Sequence, residues 1–161
     1  METDVIGIDI GGTLAKAIVL DSTSFEIKDQ LTIASSDKGP ELVKIIKSLV
    51  GKLEENTKQS FSTLGLGIAG LTHRSGVVRY SPNLPNLIEF PITIEVENEL
   101  GIPVVIGNDA TVGTIAEWKI GAGKGSENFA LVTLGTGIGA GLVVDGRLLL
   151  GNNGFAGEAG H

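Results

Sequence analysis

The chain has 161 residues, of which 42% are apolar and 19% charged, and it carries a formal net charge of −7. This is the composition of an ordinary globular chain of about one domain, and apolar runs cut every few residues fall short of the ~20 that a membrane span needs. The absence of cysteine excludes disulfides and cysteine-based zinc sites. Acidic balance with only isolated Lys and Arg argues against nucleic acid, so a cytoplasmic protein with a small-molecule ligand is expected.

In chain order, "VIGIDI" (Val5–Ile10) and "LAKAIVLD" (14–21) read as two strands joined by a tight "GGT" turn, and "FEIKDQLTIA" (25–34) as a third. Pro40 opens a helix through residue 57, with Leu42, Val43, Ile45, Ile46, Leu49, Val50 and Leu53 at helical spacing. A buried strand follows over 63–70, then a short strand and Pro-rich loop over 76–86. A short helix is expected over 91–101, a buried strand over 102–109, and a helix from Ala110 to Gly121. Residues 128–151 close with two or three strands, the "DG" at Asp145–Gly146 serving as a two-residue hairpin turn. "IGIDIGGTLAKAIVLD" and "VTLGTGIGAGLVVDG" repeat a strand, glycine turn, strand pattern. This weak duplication divides the chain near Asn108–Asp109 into an N-terminal α/β lobe, 1–108, and the start of a second, 109–161.

The glycines cluster where backbone must turn tightly or approach something closely. In "DIGGT" (9–13), consecutive N–H groups of the turn can cradle an anion, and the neighbouring carboxylate of Asp9 can hold Mg²⁺ directly or through water. A tight hairpin with an acid at its mouth is the bland rival. "TLGTGIGAG" (133–141) is a second such turn, and two of them suit a nucleotide held between two lobes. Asp109 ends a buried strand, where open α/β sheets bind ligands; it reads either as a helix N-cap or as a general base. Asn83 and Asn86, in "SPNLPN", can hydrogen-bond ligand hydroxyls or simply make a turn. "GIAGL" (67–71) brings backbone close to the same place, whereas His73 reads as solvated surface.

"GIDIGGT", "GIAG", "SPNLP", "GNDATVGTIAEW" and the long segment from "GAGKGSENF" to "GFAGEAGH" together resemble the N-terminal portion of the ROK-family sugar kinases. The likeness runs from Val5 to His161. It implies a ribonuclease H-like (actin-like ATPase) α/β lobe with a mixed five-stranded sheet and flanking helices, plus the first strands of a second similar lobe. It further implies ATP and Mg²⁺ as cofactors, a hexose as substrate, and a homo-oligomer, as a dimer. By the same resemblance, Asp9, Gly11, Gly12 and Thr13 form the first phosphate loop, with Asp9 near the Mg²⁺, and Gly135, Thr136 and Gly137 form the second. Asp109 is the implied catalytic base, and Gly70, Asn83, Asn108, Asp109, Glu158 and His161 bind the sugar. His161 also matches a zinc ligand whose cysteine partners lie further along in the family, so zinc is expected only if the chain continues.

The family's cysteine cluster, adenosine-binding segment and returning C-terminal helix have no counterpart in these 161 residues, which therefore read as a fragment or a half-length form. The leading expectation is an ATP-dependent glucokinase acting on the 6-hydroxyl of a hexose. The alternatives are a sugar-responsive transcriptional regulator of the same family, disfavoured because only four residues precede the first strand, and a non-catalytic sugar-binding fragment. The motifs are shared among kinases of glucose, fructose, mannose and N-acetylmannosamine, so they do not name the sugar.

Overall fold

The computed structural model describes residues 4–135 and 137–157. Three strands, β1 (Val5–Ile10), β2 (Leu14–Leu20) and β3 (Ile27–Ala34), form an antiparallel meander. The third begins two residues later than expected because Asp21 accepts hydrogen bonds from the N–H groups of Thr23 and Ser24, and Phe25 takes a positive φ of 59°. These bonds turn the chain before it can enter the ladder.

Helix α1 (Gly39–Thr57) carries Pro40 in its first turn and buries Leu42, Val43, Ile46, Leu49, Val50 and Leu53. These residues pack on the sheet face formed by Ile6, Ile8, Ile10, Ala15, Ala17 and Val19. Each fully buried Leu or Ile of this layer contributes roughly 1.5–3 kcal/mol relative to exposure. Strand β4 (Leu64–Ile68) adds Leu64, Leu66 and Ile68 to the same face. A small antiparallel hairpin, β5 (Leu71–Thr72) and β6 (Val78–Tyr80), comes next. Its first strand is only two residues long, which is too short for a periodicity to betray.

Helix α2 (Ile92–Leu100) starts behind Pro91 and stops at Gly101, whose φ of 73° closes it. Strand β7 (Val104–Asn108) then leads directly into α3 (Asp109–Ile120). The first sheet has the order β3-β2-β1-β4-β7, with β1, β4 and β7 mutually parallel. It is the mixed five-stranded sheet expected above.

The second sheet contains β8 (Phe129–Leu134), β9 (Ile138–Val144) and β10 (Arg147–Leu148), all antiparallel neighbours. Asp145 and Gly146 both have positive φ, 50° and 67°, so the last hairpin has the expected two-residue turn. Helix α3 lies between the two sheets and touches both through glycines. A Cβ on Gly107 would come within 2.9 Å of Val112 Cγ2, and one on Gly139 within 2.9 Å of Ala110 Cβ. On Gly141 it would overlap the Thr114 hydroxyl, which is wholly buried. Gly139 and Gly141, which belong to the second glycine turn in the sequence reading, thus serve helix packing.

Candidate active site at the carboxyl ends of the parallel strands

The parallel register sets Ile10, Ile68 and Asn108 side by side. The residues that follow them, Gly11, Ala69 and Asp109, consequently leave the sheet at one place. Ligands of open α/β sheets bind at this end. A cleft of about 1060 Å³ opens there, and Asp9, Gly11, Ala69, Asn83, Asn108 and Asp109 all line it.

Asp9 projects from the sheet face opposite α1. Its cross-strand neighbours on that face are Lys16, Gly67 and Gly107 in one row. Two glycines leave the carboxylate an unobstructed floor toward α3. Partial burial pushes the Asp9 carboxyl above the ordinary aspartate value, the Asp109 charge adds to the shift, and Lys16 opposes it. A carboxylate whose ionisation costs more beside a second one forms with it a natural seat for a cation. Among the described residues no group of three or more His, Cys, Asp or Glu side chains converges on one point.

In the first glycine turn, the Gly11 N–H donates to Leu14 O at 2.9 Å and is therefore already engaged. The N–H groups of Gly12 and Thr13 make no hydrogen bond among the described residues. Two adjacent free donors suit an anion. Gly12 itself is pressed against the proline-rich loop, since a Cβ there would lie 2.6 Å from Asn83 O. This contact brings the "GGT" turn and "SPNLPN" together. Asn86 does not line the cleft, and its amide donates to Asp37 Oδ2 at 2.6 Å.

The N-cap of α3 is Asn108, whose side-chain oxygen accepts from the N–H groups of Ala110 and Thr111. The cap reading of Asp109 is thereby displaced by one residue. Asp109 accepts only from the Ala110 N–H among the described residues and stands solvent-exposed at the cleft. The Asn108 Nδ2 donates to Gly70 O at 2.9 Å, so its amide ties the "GIAG" turn to the helix start and keeps one N–H for a ligand. Gly70 has φ 117° and no room for a Cβ, which would sit 2.6 Å from Tyr80 O. Only glycine fits this turn, and Ala69 beside it lines the cleft.

Gly135 and Gly137 stand at the turn between β8 and β9, joined by a Gly135 N–H to Gly137 O bond of 3.0 Å. They do not line the cleft that holds Asp9. Thr136, Glu158 and His161 lie outside the described residues. Several cleft residues escaped the sequence reading, among them Lys16, Thr72, His73 and Arg74. Lys16 is visible only once the strand register is known, and His73, read as solvated surface, lines the cleft with its ring edge-on to Phe155 at 6.3 Å. Among the described residues no helix is long and apolar enough to cross a membrane.

Comparison with known proteins agrees with this fold. The model of the ROK family matches residues 5–161. The chain therefore belongs to the ROK family. A glucokinase of Halalkalibacterium halodurans is 35% identical over 97% of the chain and 48% of its own length. The crystal structure of a ROK family glucokinase from Streptomyces griseus, in complex with glucose and AMPPNP, superposes with a TM-score of 0.89. It is 32% identical, and the match covers 99% of this chain and 50% of that one. A xylose repressor of Bacillus subtilis is 29% identical over 97% of the chain and 41% of its own length. The chain spans about half the length of the curated relatives it matches.

Proposed function

We propose that this chain supplies the first lobe, 1–108, and the beginning of the second, 109–161, of an ATP-dependent hexose kinase, with glucose as the foremost substrate. The observation that carries the reading is that Asp9, Gly11 of the first glycine turn and Asp109, which is not the cap of α3, line one cleft at the carboxyl ends of β1, β4 and β7. The similarity to glucokinases along nearly the whole chain supports it.

The residues present fit ATP and Mg²⁺, because a carboxylate pair and two unengaged backbone donors are what a metal-bound polyphosphate requires. Bound ATP and Mg²⁺ would supply the transferable γ-phosphoryl group and its countercharge. Asp9 would hold the cation, directly or through water, while the N–H groups of Gly12 and Thr13 take phosphate oxygens. Asn83 and the remaining N–H of Asn108 would orient the sugar. Asp109 would accept the proton of the 6-hydroxyl as that oxygen bonds to the γ-phosphorus and the bond from that phosphorus to the β,γ-bridging oxygen breaks, ADP leaving, so the alkoxide never has to exist free in water. Glu158 and His161 would add sugar contacts, Gly135 to Gly137 a second phosphate turn, and zinc at His161 would require ligands from further chain. A cytoplasmic dimer completes the proposal.

The test is glucose phosphorylation with the Asp109→Asn variant, paired with glucose binding by calorimetry. The reading predicts lost turnover with binding retained. The likeness to a xylose repressor favours a second reading, a sugar-responsive regulator that binds sugar without phosphorylating it. Sugar heat that is indifferent to ATP–Mg²⁺, with no product formed, would select that second reading.

A further inference from the structure

The β5–β6 turn lies beside the cleft and touches a segment that arrives from the other sheet. Arg74 Nη1 donates to the backbone oxygen of Asn152 at 3.1 Å. The His73 ring meets Phe155 edge-on, with planes inclined by 61°. Gly154, at φ 95°, lies so close that a Cβ would sit 3.3 Å from both Arg74 Cγ and Thr72 O. At its other end the same segment is fastened to the second sheet, the Ala140 N–H donating to Gly157 O at 3.1 Å. Residues 151–157 therefore form a strap between the sheets.

The chemistry of the turn points to a ligand. Thr72 is 7% exposed and lines the cleft, yet its hydroxyl has no hydrogen-bond partner among the described residues. An enclosed hydroxyl without a partner costs about 1–3 kcal/mol, a penalty that a hydroxylated ligand would remove. At His73, the Ser75 N–H donates to Nδ1 at 3.1 Å and the Ser75 hydroxyl lies 2.8 Å from the same nitrogen. The proton of the neutral ring consequently sits on Nε2, which leaves a donor that no described residue claims. Arg74 spends one of its five donors on the strap.

We infer that His73 and Arg74 are positioning residues that clasp the 151–157 strap across the cleft, and that with Thr72 they form the wall contacting a neutral, polyhydroxylated ligand. The ligand half of this inference rests on the hexose kinase reading; the clasp does not. Hydrogen exchange and glucose calorimetry on the whole chain, with Arg74→Ala, Arg74→Lys and His73→Ala, test both halves.

Faster exchange over 149–157 in the two alanine variants, unchanged exchange in β1 and α1, and partial recovery in Arg74→Lys would support the clasp. Roughly three- to tenfold weaker glucose binding by the alanine variants would place the wall at the sugar. Unchanged strap exchange in both alanine variants would overturn the clasp, and glucose affinity equal to that of the unaltered chain would overturn the wall. Faster strap exchange in a chain that binds no hexose at all would uphold the clasp and count against the kinase reading instead.

Discussion

At the scale of single residues, two side chains at the cleft have predictable energetics. The Asp9 carboxyl is raised above its ordinary value of 3.8, first by partial burial and then by the Asp109 charge. A raised carboxyl favours the native state when protonated. Its contribution is full below the ordinary value and is lost as pH rises through the raised one, so at neutral pH the ionised group works against the fold. Asp9→Asn should therefore raise the midpoint of thermal unfolding at pH 7, with the gain shrinking as pH falls toward 3.8, while phosphoryl transfer is lost. Equal unfolding midpoints across that range would contradict the assignment.

Asn108 makes the opposite prediction. Removing its cap and its bond to Gly70 O in Asn108→Ala should cost about 1–2 kcal/mol in chemical denaturation, measured by the loss of helical signal. A cost near zero would show that Asp109 takes over the cap. Asp9, Gly11, Asn83 and Asp109 were legible as residues of one cleft because acids and asparagines beside glycines at strand ends carry a chemical meaning. Lys16 and His73 were not. Their relevance depends on the cross-strand register and on a partner, Phe155, 82 positions away in the chain.

Among elements, α3 shows how one glycine pattern can serve two purposes. The glycines of "TLGTGIGAG" read as a phosphate turn throughout, but only Gly135 and Gly137 lie at the turn; Gly139 and Gly141 face the helix. Nothing in the linear pattern separates these uses, because both phosphate approach and close helix packing demand a missing side chain. Gly141→Ala would drive a methyl group into the buried Thr114 hydroxyl and should cost roughly 1–3 kcal/mol. Gly146→Asn, in the exposed two-residue turn where nothing lies within 4 Å, should cost far less. Thermal unfolding of the two variants checks the difference. The long elements were legible because their apolar periodicity is repeated many times, as in α1. The two-residue strand β5 exists only through its pairing with β6.

For the molecule as a whole, the face of the second sheet turned away from α3 carries Val132, Leu134, Ile138 and Val144, with Leu134 82% exposed. Apolar surface of this kind on a sheet drives association. The 161-residue chain should accordingly sediment as a concentration-dependent mixture, and Leu134→Lys should shift it toward monomer. A single species at every concentration would refute this.

As proposed, the cleft at the carboxyl ends of β1, β4 and β7 is a hexose kinase site with Asp109 as its base. Glucose-dependent phosphoryl transfer from ATP, compared between the unaltered chain and Asp109→Asn, tests it most directly. The expected result is a fall of about 10²–10⁴-fold in kcat with the glucose KM changed only slightly. A variant that phosphorylates glucose at the unaltered rate would contradict it.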